Sequence, residues 1–180
     1  MLRATSKRDA ARVCNAARGV LLDLGCGANK TQGAVGVDHR PLPGVDIVCD
    51  LFTPPWPIPT SCAHTVVLSH VCEHVPPWLF LDFMAELHRV CRDGAGVMIS
   101  SPYGIGPRWQ QDPTHCRPIT EATFMYFDPD HPSQLWKVYE PPPFRLQHCE
   151  VIPAGYDRDI NIVLVCQKPA SPPRRRKRQS

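Results

Sequence analysis

Proline is the feature that most constrains this chain: 21 of its 180 residues are proline, against a usual share of roughly 5%. Proline removes a backbone donor and clashes with the preceding turn, so regular structure is confined to the stretches between prolines. An excess of this kind raises disorder first. With 43% hydrophobic residues, however, the chain has enough apolar surface to fold, so its prolines punctuate a folded protein. The 11 glycines show no three-residue period, which excludes a collagen repeat. No stretch reaches the roughly 18 apolar residues of a membrane span. At this length a single core suffices without a disulfide or metal to staple it.

Seven proline-free stretches carry the expected elements. Residues 5–17 form a helical segment, and Val20-Leu21-Leu22-Asp23-Leu24 is a continuous apolar run suited to a buried parallel strand. A second strand is expected over residues 34–38, a third over 45–50 and a fourth over 65–70. From Trp78, the apolar residues Phe80, Phe83, Met84, Leu87, Val90 and Cys91 recur at three- and four-residue steps, the signature of one helix face. Asp93-Gly94 stops that helix and residues 97–100 form a fifth strand. A short helix is possible over 119–128. Residues 144–152 and 158–168 read as a closing antiparallel pair. Strands alternating with helices or crossovers predict an α/β fold with a mostly parallel sheet and an antiparallel C-terminal edge. Only residues 25–33 separate the first two strands, so the first crossover is shortened to a loop or single turn.

Charge divides the chain into a basic segment 1–18, a domain 19–168 and a basic tail 169–180. Arg174, Arg175, Arg176, Lys177 and Arg178 carry +5 and residues 1–18 carry a net +4, so the remainder is at −6 although the whole is +3. The tail is expected to be a disordered polycation, either a solubilising extension or one that gains affinity for nucleic acid by releasing counterions. Nine cysteines, an odd number without a C-x-x-C pair, read as reduced thiols and suit the cytoplasm. No secretory leader pattern is present at the start.

In sheets of this kind ligands lie beyond the carboxyl ends of the strands. Gly25-Cys26-Gly27 follows the first strand, while Asp38, Asp50 and His70 each close another. The glycines let a ligand lie against the main chain. A dinucleotide fingerprint would need a third glycine and an acid about 20 residues on, and the phosphate-loop pattern is missing, so a ligand with ribose and adenine but no pyrophosphate fits better.

Leu22-Asp23-Leu24-Gly25-Cys26-Gly27, Gly36-Val37-Asp38, Cys49-Asp50-Leu51, Ser69-His70-Val71-Cys72-Glu73-His74-Val75 and Glu86-Leu87-His88-Arg89-Val90 together resemble a class I S-adenosylmethionine-dependent methyltransferase of the small type 11 kind. The resemblance covers residues 18–127 and implies a Rossmann-like sheet with S-adenosylmethionine as cofactor. It implies that Asp23, Gly25, Cys26 and Gly27 line the methionine part and that Asp38 accepts the ribose hydroxyls. Asp50 and Leu51 would meet the adenine, with Ser69 at the end of the fourth strand. A carboxylate is the natural bidentate acceptor for a vicinal diol, which agrees with the role of Asp38. His64 stands where the resemblance expects an acid.

His70-Val71-Cys72-Glu73-His74 also spells H-x-x-E-H, an inverted zinc-protease signature. That signature needs both histidines on one regular helix, and Pro76-Pro77 leaves room for at most one turn, so no metal site is expected. Methyl transfer needs alignment and, for a poor nucleophile, a base. His70 is the first candidate for that base and His115 the second. Glu73, Asp112 and Arg117 are candidates for holding substrate, the last two in a proline-braced loop after the fifth strand. The motifs of amino-methylating and cytosine C5-methylating DNA enzymes are missing after the fourth strand. The expected acceptor is therefore a small molecule, or a sugar or lipid intermediate. The alternative is a non-catalytic cofactor-binding domain docked on nucleic acid or protein through its basic ends.

Overall fold

The computed structural model describes residues 19–169 together with Cys14. The expected N-terminal helical segment and all but the first residue of the basic tail lie outside the described residues. Seven strands form one sheet in the order β3-β2-β1-β4-β5-β7-β6. They are β1 (Val20–Leu24), β2 (Val35–Asp38), β3 (Ile47–Val48), β4 (Ala63–Ser69), β5 (Cys91–Pro102), β6 (Phe144–Ala154) and β7 (Asp157–Cys166). The pairs from β3 through β5 are parallel. β7 runs antiparallel to both β5 and β6, as the closing pair of the sequence implied. The α/β expectation and the antiparallel edge are both met.

β1 and β2 are joined without a helix, and three carboxylates do the fastening instead. Asp23 accepts the Thr31 amide at 2.7 Å, Asp38 accepts the Gly27 amide at 2.9 Å, and Asp46 accepts both the Gly36 amide at 2.8 Å and the Lys30 ammonium at 2.6 Å. All three are buried. Burying a carboxylate is tolerated when its lone pairs are filled in this way. Gly36 completes the arrangement, since a Cβ there would lie 2.5 Å from Lys30 Cδ and 2.8 Å from Cys26 Sγ.

The expected central helix forms as α1 (Phe80–Val90), entered through a 3-10 turn at Pro77–Leu79 where proline supplies the first helical position. Its apolar stripe of Phe80, Phe83, Met84, Leu87 and Val90 is buried, each such side chain contributing roughly 1.5–3 kcal/mol. Glu86 is buried on the same face. Its carboxylate accepts the Trp56 amide at 2.6 Å and two guanidinium donors of Arg89, and Arg89 Nη2 donates to the carbonyls of Trp56 and Ile58. This clamp holds the proline-rich loop 51–60 against the helix.

Several expected elements differ: β4 begins two residues early at Ala63, and α1 ends at Val90, so Asp93-Gly94 lies inside β5 and does not stop the helix. β3 shrinks to two residues because Asp46 turns inward to the crossover loop. β5 starts six residues early, directly after α1, and makes an irregular step against β4 between Ala63 and Thr65. The possible helix over 119–128 is replaced by turns and one 3-10 segment at Met125–Phe127. There the Thr123 hydroxyl accepts the Thr120 amide at 3.0 Å, the local side-chain competition that discourages helix. Phe124 and Phe127 stay buried. No helix among the described residues is long and apolar enough to cross a membrane.

Candidate functional site

The strand order reverses between β1 and β4, and in open α/β sheets such a switch point is where a crevice opens at the carboxyl edge. A cleft of about 530 Å³ opens at these strand ends, lined by Gly25, Asp38, Arg40, Asp50, Val71 and His70 among others. This volume falls in the ordinary range for small-ligand sites. Gly25 sits at φ +76° and a Cβ on it would meet Val71 Cγ2 at 2.5 Å. The turn therefore needs glycine both for its backbone and for the close approach of the segment after β4.

Asp38 closes β2 and is 3% exposed. Burial alone would raise its pKa, but the amides of Arg40 and Gly27 and the Arg40 guanidinium outweigh it and hold the carboxyl below the usual range. Its Oδ1 accepts the Arg40 amide at 2.9 Å and the Arg40 Nε at 3.3 Å, and its Oδ2 accepts the Gly27 amide at 2.9 Å and keeps one further lone pair. Asp50 is exposed and braces its own turn, accepting from the Phe52 amide and the Thr53 hydroxyl. Leu51 and Phe52 add an apolar wall. Asp23 and Cys26 are buried beneath the turn, with the Asp23 carboxylate committed to Thr31. Ser69 ends β4 as an exposed residue.

His70 follows it at φ +55°, a left-handed conformation uncommon outside glycine. Its amide donates to the Ser100 carbonyl at 2.8 Å, which pins the residue at the β4–β5 junction. Its ring lies between two carboxylates, with Nδ1 3.3 Å from Glu73 and Nε2 3.9 Å from Asp159. Glu73 raises the His70 pKa most, against the opposing effect of burial. Glu73 is fully buried; its Oε2 accepts from the Ser101 hydroxyl at 3.1 Å, while Oε1 has no hydrogen-bond partner. Asp159, on β7, is gripped by Arg108 at 2.7 Å. Arg108 belongs to the short helix α2 (Pro107–Gln111).

A second cleft of about 230 Å³ adjoins the first, and His70 and His74 line both. Glu73, Arg108, Asp112 and His115 complete its wall. The His115 Nδ1 lies 2.9 Å from the Trp109 carbonyl and its side chain is largely covered. Asp112 accepts from the Thr114 hydroxyl and amide, bonds that also lower its pKa. The long loop thus places His115 and Asp112 beside His70 and Glu73. Arg117 is not brought there. Its guanidinium stacks 4.0 Å over the Phe80 ring and donates to the Pro77 carbonyl, lining a separate hollow beside α1.

Arg40, His74, Arg108 and Asp159 are site residues that the sequence reading did not select. His74 could have been found, since it ends the H-x-x-E-H motif. Asp159 carries no local signal, because it reaches His70 only through the antiparallel pairing of β7 with β5, Ser101 against Ile160 and Pro102 against Asp159.

No family model and no curated relative matches the chain. Solved structures do. The 16S rRNA (adenine(1408)-N(1))-methyltransferase from Catenulisporales acidiphilia superposes with a TM-score of 0.60 at 13% identity, covering 94% of this chain and 97% of that one. The 1,6-didemethyltoxoflavin-N1-methyltransferase of Burkholderia thailandensis, solved with its substrate and S-adenosylhomocysteine, gives 0.59 at 14% identity over 91% and 79%. The [4+2]-cyclase SpnF gives 0.55 at 14% identity over 89% and 80%. The chain has the class I methyltransferase fold. By their names these neighbours serve 16S rRNA methylation, 1,6-didemethyltoxoflavin methylation and a [4+2] cyclisation, so the fold leaves the reaction to be argued from the site.

Proposed function

We propose that the chain is an S-adenosylmethionine-dependent methyltransferase acting on a small polar acceptor, such as a free metabolite or a sugar or lipid intermediate. The observation that carries this reading is the meeting of the two clefts at His70 and His74. One ligand in the larger cleft and another in the smaller would face each other there, as an in-line displacement requires. The larger cleft suits the cofactor. Gly25 keeps the turn open where a side chain would fill it, the buried Asp38 keeps one lone pair on Oδ2 for a ribose hydroxyl, and Asp50 and Leu51 stand at the far wall. When bound, S-adenosylmethionine supplies an electrophilic methyl group.

The chain's own residues orient the acceptor and receive its proton. His70 is placed for that role, with Glu73 and Asp159 on either side to stabilise the imidazolium that forms. Arg108 fixes Asp159 and is also open to the smaller cleft, where it can meet an anionic acceptor group. His115 and Asp112 form the opposite wall. The free thiols suit a reducing compartment such as the cytoplasm.

A second reading keeps cofactor binding without methyl transfer, with the basic ends docking the domain on nucleic acid. The charge division favours it: cations cluster at Arg174–Arg178 on a chain whose residues 19–169 are net acidic. Calorimetric titration of the full chain with S-adenosylmethionine and S-adenosylhomocysteine tests both, with one-site binding of each expected. Absence of binding by either removes the two readings together. Turnover separates them, and deleting residues 170–180 should reduce salt-sensitive retention on nucleic acid only under the second.

A further inference from the structure

The smaller cleft contains a group of side chains whose mutual arrangement methyl transfer does not account for. One ring nitrogen each of His74 and His115 and a carboxylate oxygen of Glu73 lie within 4.8 Å of one another. Glu73 and His74 come from the 3-10 turn Cys72–His74 after β4, and His115 from the loop after α2. The two imidazole rings cross edge-on with centroids 4.8 Å apart.

Each histidine is held in the tautomer a metal needs. His74 Nδ1 is 3.3 Å from the Thr114 carbonyl and 3.1 Å from the Thr114 hydroxyl, whose own proton goes to Asp112 at 2.6 Å, and His115 Nδ1 is 2.9 Å from the Trp109 carbonyl. A carbonyl can only accept, so each Nδ1 carries the proton and each Nε2 carries a lone pair. Backbone carbonyls orient metal-ligating histidines in this manner. The burial of Glu73 also favours a cation: the carboxylate is fully buried, and its Oε1 meets only the His70 Nδ1, 3.3 Å away and outside hydrogen-bond geometry, so a lone pair stays open. A buried carboxylate oxygen satisfied this weakly is costly, and a cation beside it lowers the cost.

We propose that Glu73, His74 and His115 form a binding site for a divalent transition-metal ion, of which Zn²⁺ best matches two imidazoles and a carboxylate. The ligand atoms must close from their present separation to about 3.3 Å, the edge of a tetrahedron with bonds of roughly 2.0–2.1 Å. All three sit on turn or loop residues, which gives them that freedom. Glu73 can serve the ion and His70 together, since each carboxylate oxygen has two lone pairs. Three protein ligands leave a coordination position open to the smaller cleft, the pattern of a site that takes water or an oxygen of a bound molecule. The motif histidines His70 and His74 are not the ligand pair. The second imidazole comes from His115, 41 residues further on. The metal site does not depend on the methyl-transfer reading.

The test is a titration of the reduced, untagged full chain with Co²⁺, followed by displacement with Zn²⁺, in the absence of cofactor. One equivalent of Co²⁺ should bind with visible d–d bands of nitrogen and oxygen ligation and no thiolate charge-transfer band. His74→Ala, His115→Ala and Glu73→Gln should each weaken binding by at least about tenfold. Cys116→Ser should leave it unchanged, although its thiol lies 3.7 Å from the Glu73 carbonyl. Thermal melts without metal identify any variant that does not fold, in which case the remaining variants decide. No binding by the parent chain, binding retained in all the folded ligand variants, or a spectrum dominated by thiolate ligation each overturns the proposal.

Discussion

The two clefts that meet at His70 are built differently. In the larger one the supporting bonds are short in sequence: Asp38 reaches back 11 residues to Gly27, and Asp23 forward 8 to Thr31. In the smaller one they are long: Cys116, which donates to the Glu73 carbonyl, lies 43 residues from it, and Asp159 lies 51 from Arg108 and 89 from His70. The first is made largely of strand ends and the turns that follow them, the second of side chains from a turn, a short helix and a loop, braced by Asp159 of a late antiparallel strand. A ligand pocket whose shape comes from backbone is set once the sheet forms. One assembled from loops depends on each contact separately, which leaves room for a change of acceptor without a change of fold.

This division predicts where substitutions act. The largest effect is expected for His70→Ala, which should lower turnover by about 10²- to 10⁴-fold while leaving cofactor affinity near that of the parent; steady-state kinetics with parallel calorimetry would show it. An equal loss of cofactor affinity would break the distinction between the clefts. Gly25→Ala should come next. Forcing a Cβ against Val71 at φ +76° is expected to cost about 1–3 kcal/mol, read as a fall of several degrees in Tm. The double variant with Val71→Ala should recover the steric part and leave the backbone part. Full recovery would mean that the left-handed turn carries no strain for alanine.

The smallest effect concerns acid. The Asp38 carboxyl is held below its usual value, so it contributes stability that is present above about pH 3.9 and is lost as pH falls through the lower folded value. Cofactor affinity should therefore stay level from neutral pH down to that range as far as Asp38 governs it. A fall already near pH 6 would assign the effect to another group and sharpen the search toward the histidines.

The same contrast in sequence distance explains what could be read before the structure. Strand, glycine turn and terminal acid occur within twenty residues, so the first cleft was legible in Asp23 through Asp38, including the absence of a crossover helix. How the crossover holds without one was not legible, because the role of Asp46 depends on β3 giving up its first residues. Apolar residues at three- and four-residue steps reveal α1, yet the position of Glu86 inside that face hides a clamp for a proline loop 30 residues earlier. In the second cleft, His70 and His115 were identified as separate candidates, but nothing local pairs His115 with His74 or brings Asp159 to His70. Arg117 shows the opposite limit. It sits two residues beyond His115 in a polar loop, and its guanidinium packs on Phe80 instead of facing the cleft.

A side-by-side calorimetric titration of S-adenosylhomocysteine into Asp38→Ala and His70→Ala decides whether the larger cleft holds the cofactor. Loss of hydrogen bonds to a buried carboxylate, at about 1.5–3 kcal/mol each, predicts at least about tenfold weaker binding for Asp38→Ala and near-parental binding for His70→Ala. Parental affinity in a folded Asp38→Ala protein would contradict the assignment.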